Sequence, residues 1–437
     1  MFPSFPSVKF LLLKLCVFSR FAPDSKIRFD KNSAQPVRSS RLTMSKHLPR
    51  VALLIESSRN YGRGVLRGIA RYAHTNGPWS CFTQERELHS GIPDWLRTWK
   101  GDGIIARIED QRTARALLKL GYPVVDVLGN ARFPRIPFFD TDAKAVARLA
   151  GDFFLHAGFH HYAYCGYKGI PFSDRREAMF GKYLAAHGHQ LSVFSPRTSM
   201  RGRTHIQAIE QSGLGAEAAI AAWLRKQPRP LALFACNDIR AQQVLNACRE
   251  HKIKVPEEVA VMGVDNDDVL CSLCEPQLSS IEPDTDRLGY EAAALLDQMM
   301  KGANLPTNLV QIPPARIVER ASTDVVAIED PITVSAVRFI RDHVGEGIAV
   351  KDVMAHVQRS RTDLEQRFRL WLKGSVRSEI LRRRMDRVCA LLQQTNLGLE
   401  EIARRAGYSS AAHLCRLFQN HFQQSPTEFR LSCKIRQ

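Results

Sequence analysis

The chain has no apolar run long enough to cross a membrane, no second cysteine pair at metal-site spacing, and no pattern of an activated nucleophile or paired carboxylates. A spanning helix needs about 20 apolar residues. The nearest approach, MFPSFPSVKFLLLKLCVFSRF, is short, is split by Lys14 and is followed by no small-x-small cleavage site. Residues 1–49 therefore read as a disordered tail, or as a start placed upstream of a true one at Met44. The ten cysteines are mostly scattered singly, and the one CxxC joins Cys271 to Cys274. Such usage implies reduced thiols in the cytoplasm rather than a disulfide or metal framework. Together these gaps point away from an enzyme, a cofactor, a metal centre and a membrane.

What is present is charge, unevenly placed. Of the net +18, residues 1–50 carry +8 and residues 331–437 carry +9, while 51–330 are almost neutral. A basic C-terminal block on a neutral body implies one polyanion-binding module and one body with another task. That block holds two helix-turn-helix patterns, AVKDVMAHVQRSRTDLEQRF and EEIARRAGYSSAAHLCRLF. In each, an amphipathic segment reaches a short turn and then a Ser able to cap a second helix ending in Phe. Duplex DNA is the implied partner.

A helix-turn-helix lays its second helix in the major groove with the residues near its N-terminus against base edges. For the first motif these are Arg359, Ser360, Arg361, Thr362 and Glu365, with Arg361 the candidate for a bidentate contact to guanine. For the second they are Ser409, Ser410, Ala412, His413 and Arg416, a weaker reading set suited to positioning and phosphate contact. On the linking helix, SVRSEILRRRMDRVCALLQQ, Leu381, Met385, Val388 and Leu392 share one face. Its run Arg382, Arg383, Arg384 reads either as a solvated face or as phosphate contacts, with Arg384 structural.

From Arg50 the chain alternates short apolar runs with amphipathic ones: RVALLIE, GRGVLRGIARYAHTNG, WSCFTQE, a helix through DWLRTW, GIIARI, TARALLKLG, YPVVDVLG. The cycle resumes after Asp142 and runs to VAVMGVD; LSSIEPD, TDRLGYEAAALLDQMMKG and NLVQIPPARIVER then return toward the first half. Short strands with helical crossovers mean parallel sheets, and two runs of them mean two lobes with a cleft between. Ligands in such sheets bind beyond the carboxyl ends of the strands.

Residues 50–320 resemble the periplasmic-binding-protein-like sensor of LacI/GalR-type repressors, and residues 331–437 resemble an AraC-type DNA-binding domain. The second likeness rests on Ala355, Ser360, Leu364 and Phe368, then Arg384 and Leu391-Leu392. It continues through Ile402-Ala403, Gly407-Tyr408, Phe418, Phe422, Ser425-Pro426 and Phe429-Arg430. The resemblance implies an α/β two-lobed periplasmic-binding-protein-like sensor over 50–320, a linker over 321–330 and an all-α domain with two helix-turn-helix motifs over 331–437. Two departures stand out: His413-Leu414 replaces an aromatic pair, and Gln424 replaces a glycine before Ser425-Pro426.

For the sensor the resemblance implies a small sugar effector, D-xylose first among pentoses and hexoses. It matches Arg176 to a sugar-contacting arginine, and Asn237, Asp238 and Asp265 to polar positions just beyond two strands. Asp142 at the lobe crossing and Tyr61, with Ser57 and Ser58, are further candidates. Against each Asp stands the plain alternative of a helix N-cap, and against Arg176 that of a surface charge. The whole implies a cytoplasmic transcription regulator, an activator working as a homodimer with RNA polymerase as a further partner. The alternatives are a secreted sugar receptor, or an α/β enzyme with an appended DNA-binding domain.

Two patterns imitate other chemistry. Gly62, Gly64 and Gly68 with Glu85 resemble a dinucleotide site, but the spacing is GxGxxxG and a polar loop separates them from the strand. His156, His160 and His161 have ligand-like spacing but are interrupted by Gly158, so they read as surface or core histidines.

Overall fold

The computed structural model describes residues 48–86, 91–129, 133, 135–194, 213–303, 309–324, 328 and 330–434. Residues 1–47, most of the stretch read as a tail, lie outside them. The first lobe is built on β1 (Arg50–Leu54), β2 (Ser80–Thr83), β3 (Gly103–Ala106), β4 (Val124–Asp126) and β5 (Phe138–Thr141). The second uses β6 (His161–Cys165), β7 (Leu191–Val193), β8 (Leu231–Ala235), β9 (Val259–Val264) and β10 (Ser279–Pro283). The last run divides at Pro313 into β11 (Leu309–Ile312) and β12 (Pro314–Val318). β11 completes the first sheet, ordered β11-β5-β4-β3-β1-β2, and β12 the second, ordered β12-β10-β9-β8-β6-β7. All pairings are parallel except β10 with β12.

The central strands β3, β4, β8 and β9 are buried along their whole length. That explains why they read as unbroken apolar runs rather than alternating ones. Helices α1 (Asn60–Asn76) and α2 (Gln111–Leu118) belong to the first lobe. The second lobe carries α3 (Ala143–His156), α4 (Pro171–Ala186), α5 (Glu217–Leu224), α6 (Asp238–Glu250) and the short α7 (Asp268–Leu273). After β10 the chain crosses back, and α8 (Thr285–Met300) packs on α1 and the first sheet.

The α1–α8 crossing accounts for the glycines. A Cβ on Gly64 would lie 2.0 Å from Thr285 Oγ1, one on Gly68 1.9 Å from the Asp286 carbonyl, and one on Gly289 2.0 Å from the Val65 carbonyl. Close backbone approach of two helices, rather than a pyrophosphate, is what these positions serve.

Three expectations are corrected. DWLRTW forms one 3₁₀ turn, Asp94–Arg97, in which Leu96 is buried and Trp99 closes the layer against Phe82 and Tyr122. FFDTD holds strand β5, hidden from a periodicity reading because it is short and has Asp140 inside it. Ser322 and Thr323, at the start of the stretch read as linker, are buried in the second lobe.

The C-terminal domain consists of α9 (Pro331–His343), α10 (Val350–Val357), α11 (Arg361–Leu372), α12 (Val376–Gln394), α13 (Leu399–Arg405), α14 (Ala411–Phe422) and α15 (Pro426–Lys434). It has two small cores. Leu364, Phe368, Val376 and Ile380 fill one; Met385, Val388, Leu392, Leu414 and Phe418 fill the other. Helix α12 spans both, and Leu381, Met385, Val388 and Leu392 face inward as their spacing predicts. No helix among the described residues is long and apolar enough to cross a membrane.

Candidate ligand cleft and DNA-facing helices

The carboxyl ends of the two sheets bring charged side chains together in pairs. In the first lobe the chain leaves β1 into Glu56 and β3 into Arg107, and these two meet at 2.7 Å. Glu56 is 3% exposed, and its Oε2 accepts no hydrogen bond among the described residues. Arg107 Nε lies 3.6 Å from Glu109 Oε1. A buried carboxylate oxygen with an unmet lone pair is costly unless a ligand donates to it. Tyr61, at the start of α1, bonds the Thr141 side chain; burial first, then Asp140, raises its hydroxyl pKa well above the ordinary value.

In the second lobe Arg176, 6% exposed, donates to the Cys236 carbonyl, lies over the Phe172 ring and stands 3.9 Å from Asp265. It is therefore no surface charge. Asp265 and Asn266 adopt φ of 111° and 43°, values costly for residues with a Cβ and typical of ligand clamps. The lobes meet through Arg175 to Asp140 at 2.8 Å and through Asn60 Nδ2, which donates to the Asn266 carbonyl at 3.0 Å.

Three predicted sugar contacts are placed otherwise. Asp142 caps α3, accepting from the Lys144 and Ala145 amides at 2.8 and 3.1 Å. Asn237 caps α6 through the Arg240 amide at 3.0 Å. Asp238 is buried, accepting from Ser280 Oγ at 2.6 Å, the Asp267 amide at 2.9 Å and Cys271 Sγ. Its carboxyl is pushed above the usual carboxylate range, mainly by burial and then by Asp265. It braces the 265–267 loop from behind. A polar residue after a strand was the right signal, but capping and bracing use the same residue types.

Glu56, Arg107, Asp140 and Arg175 were missed, although Glu56 ends a predicted strand, Arg107 follows β3 and Asp140 lies inside β5. Burial pushes the Asp140 carboxyl up to about 6, against the pull of Arg175 and Arg176. A carboxyl whose pKa is raised by folding holds its proton more tightly in the folded state. Its contribution therefore improves as pH falls from above 6 toward the unfolded value. Relative to Asp140→Asn, the wild-type chain should gain up to about 2–3 kcal/mol between about pH 7 and pH 4. Denaturant unfolding of the sensor at several pH values tests this; a constant difference across that range would contradict it.

At the other end, Ser360 caps α11 through the Asp363 amide, and Arg359, Ser360, Arg361 and Thr362 are exposed with Glu365 half-buried. Gln358 makes the turn in the left-handed region. In the second motif Gly407 turns with φ 75°, Ser410 caps α14, and Ser409 and Arg416 are exposed. His413 stands edge-on to Tyr408, its Nδ1 3.4 Å from Ser409 Oγ, while Leu414 is fully buried. The replaced aromatic pair thus supplies one core residue and one residue on the exposed side, and packing is kept.

The arginine run on α12 is neither a solvated face nor a phosphate cluster. Arg382 pairs with Glu379 and Asp386, and Arg383 is buried against Glu379 and Asp324. Arg384 donates to the Ile348 carbonyl at 2.9 Å and lies over Tyr408, the structural role expected of it.

Residues 50–144 match the profile of a XylR N-terminal domain, 152–323 a periplasmic binding protein-like domain and 353–432 a helix-turn-helix domain. The chain is 29% identical to the xylose operon regulatory protein of Haemophilus influenzae, over 89% of this chain and 100% of that protein. It is 29% identical to the protein of that name from Escherichia coli, over 87% of this chain and 96% of the other. A solved structure of the xylose-binding transcription activator xylR superposes with a TM-score of 0.71 and 27% identity, covering 89% of this chain and 99% of that one. A LacI transcriptional regulator from a Rhodococcus species shares the sensor fold, with a TM-score of 0.52 and 20% identity over 64% of this chain and 100% of that one.

Proposed function

We propose that the chain is a sugar-responsive DNA-binding transcription regulator like the xylose operon regulatory proteins, with a pentose, D-xylose first, as its effector. The carrying observation is the set of charged pairs that both lobes bring to one cleft: Glu56–Arg107, Asp140–Arg175 and Arg176–Asp265. Carboxylates and guanidiniums held in fixed planes can each bond two neighbouring hydroxyls, which is what a small polyol requires. Arg176, Asp265 and Tyr61, joined by Glu56, Arg107, Asp140 and Arg175, are the proposed contacts. Asp142, Asn237 and Asp238 support their loops instead.

Sugar in the cleft stabilises the closed lobes to the extent that it binds them better than the open ones. In a homodimer that shift repositions two DNA-binding domains on an operator and, in an activator, presents them beside RNA polymerase in the cytoplasm. Arg361 reads a base edge; Arg359, Thr362, Glu365, Ser409, His413 and Arg416 add base and phosphate contacts, and Ser360 and Ser410 hold the helices that present them. Turnover of the sugar forms no part of this reading.

The test is calorimetric titration of the full chain with D-xylose, L-arabinose, D-ribose and D-glucose, paired with anisotropy on promoter DNA at two salt concentrations. D-xylose should bind most tightly and change the affinity for DNA, and that affinity should fall with salt. Binding of no pentose would refute the pentose reading. Loss of sequence-specific DNA binding would refute the regulator.

A further inference from the structure

The chain must pass from the last strand of the sensor to the DNA-binding domain, and it does so through a buried turn. Ser322 donates to the Val261 carbonyl at 2.6 Å and accepts from the Ser279 amide at 2.8 Å; Thr323 donates to Ser279 Oγ at 2.7 Å. Just before it, Arg320 is fixed at both ends. Its backbone N–H donates to Ser279 Oγ and its backbone carbonyl accepts from that hydroxyl, while its guanidinium reaches the Leu278 carbonyl at 2.8 Å and Asn266 Oδ1 at 2.9 Å. Just after it, Asp324 is held by Arg383 and, at 3.5 Å, by Arg382, both on α12. Arg383 also donates to the Asp324 backbone carbonyl at 3.1 Å.

Asn266 is where this route meets the cleft. Its carbonyl accepts from Asn60 of the first lobe, its amide donates to Ser280 Oγ at 3.0 Å, and its side chain faces Arg320. Separating the lobes must break the Asn60 bond, and Asn266 already sits in a costly left-handed conformation that depends on its partners. At the far end α12 contributes to both helix-turn-helix cores, so a displacement of α12 moves both. A separate tie, Arg341 of α9 to buried Glu257 at 2.6 Å, holds the same domain to the second lobe.

We propose that Arg320 and Asp324 are positioning residues that tie lobe closure at Asn266 to the linking helix between the two helix-turn-helix motifs. The segment 320–324 is then a rigid coupling rather than a tether, and the domain follows the second lobe. Packed side chains joined by hydrogen bonds and ion pairs can carry such a coupling, provided both ends bias one two-state element. The sugar part of the proposal rests on the function given above.

The test uses the full chain with Arg320→Gln, Arg320→Lys and Asp324→Asn. DNA affinity is measured by anisotropy with and without saturating D-xylose, and D-xylose affinity by calorimetry. The Gln and Asn variants should keep D-xylose affinity within about threefold while the sugar-dependent ratio of DNA affinities collapses to within about twofold of unity. Arg320→Lys, lacking the two-pronged guanidinium, should behave like Arg320→Gln. A merely stabilising role would leave that ratio intact. Hydrogen exchange without sugar is the second readout: Asp324→Asn should speed exchange in residues 264–268, and Arg320→Gln in 376–386. Wild-type ratios in all three variants, or exchange changes confined to each mutated turn, would overturn the proposal. If the wild-type chain binds no D-xylose, the sugar reading fails and the exchange result alone decides the coupling.

Discussion

Arg176→Met should reduce sugar affinity by at least about a hundredfold while leaving DNA binding in the absence of sugar within about threefold of wild type. The guanidinium is buried, donates to the Cys236 carbonyl and faces Asp265 across 3.9 Å. Each hydrogen bond from a buried cation to a bound hydroxyl is worth about 1.5–3 kcal/mol, and the guanidinium can supply two in one plane. Met keeps much of the volume against Phe172, so packing changes little. The Cys236 carbonyl loses a donor, a cost of about 1–3 kcal/mol to the sensor that the fold can bear. Lys in this place should not rescue binding, since a point charge cannot reach the carbonyl and a sugar hydroxyl in one plane. Calorimetry on the purified variant decides it: sugar affinity within threefold of wild type would remove Arg176 from the site.

Phe368→Ala should abolish sequence-specific DNA binding and spare sugar binding. Phe368 is fully buried where α11 packs against α10 and α12, in a core of about ten side chains that includes Leu364, Val376 and Ile380. Removing a buried phenyl ring costs about 3–5 kcal/mol, and so small a core has few other contacts to compensate. The helix carrying Arg361 should therefore lose its fixed position. Among the described residues the second core, around Phe418, shares no side chain with the first, so its half should remain folded and supply residual salt-sensitive affinity. Anisotropy on promoter DNA, circular dichroism and sugar calorimetry on one preparation separate these outcomes. Specific DNA binding within threefold of wild type would contradict the assignment of α11 as a reading helix.

Much of this organisation is legible in the residues. The unbroken apolar runs LALFACN and VAVMGVD could only be buried parallel strands beside helical crossovers, and both are. The two capping serines, Ser360 and Ser410, announced their helices, and both cap them. Legibility failed where one residue type serves two purposes. Asp142, Asn237 and Asp238 stand after strands just as ligand contacts do, yet their oxygens bond backbone amides or buried hydroxyls of their own lobe. Arg382 and Arg383 had the look of a DNA-facing run, but their partner Asp324 lies across a domain boundary. No local pattern could pair them.

The basic C-terminal block, the paired helix-turn-helix motifs and the two-lobed α/β sensor follow from the sequence, because hydrophobic period and helix caps act over a few residues. Which side chains share the cleft, and how the sensor grips the DNA-binding domain, were decided only by tertiary structure. Those contacts join residues such as Asn60 with Asn266 and Asp324 with Arg383, distant along the chain. Their energies depend on burial and geometry that folding alone creates.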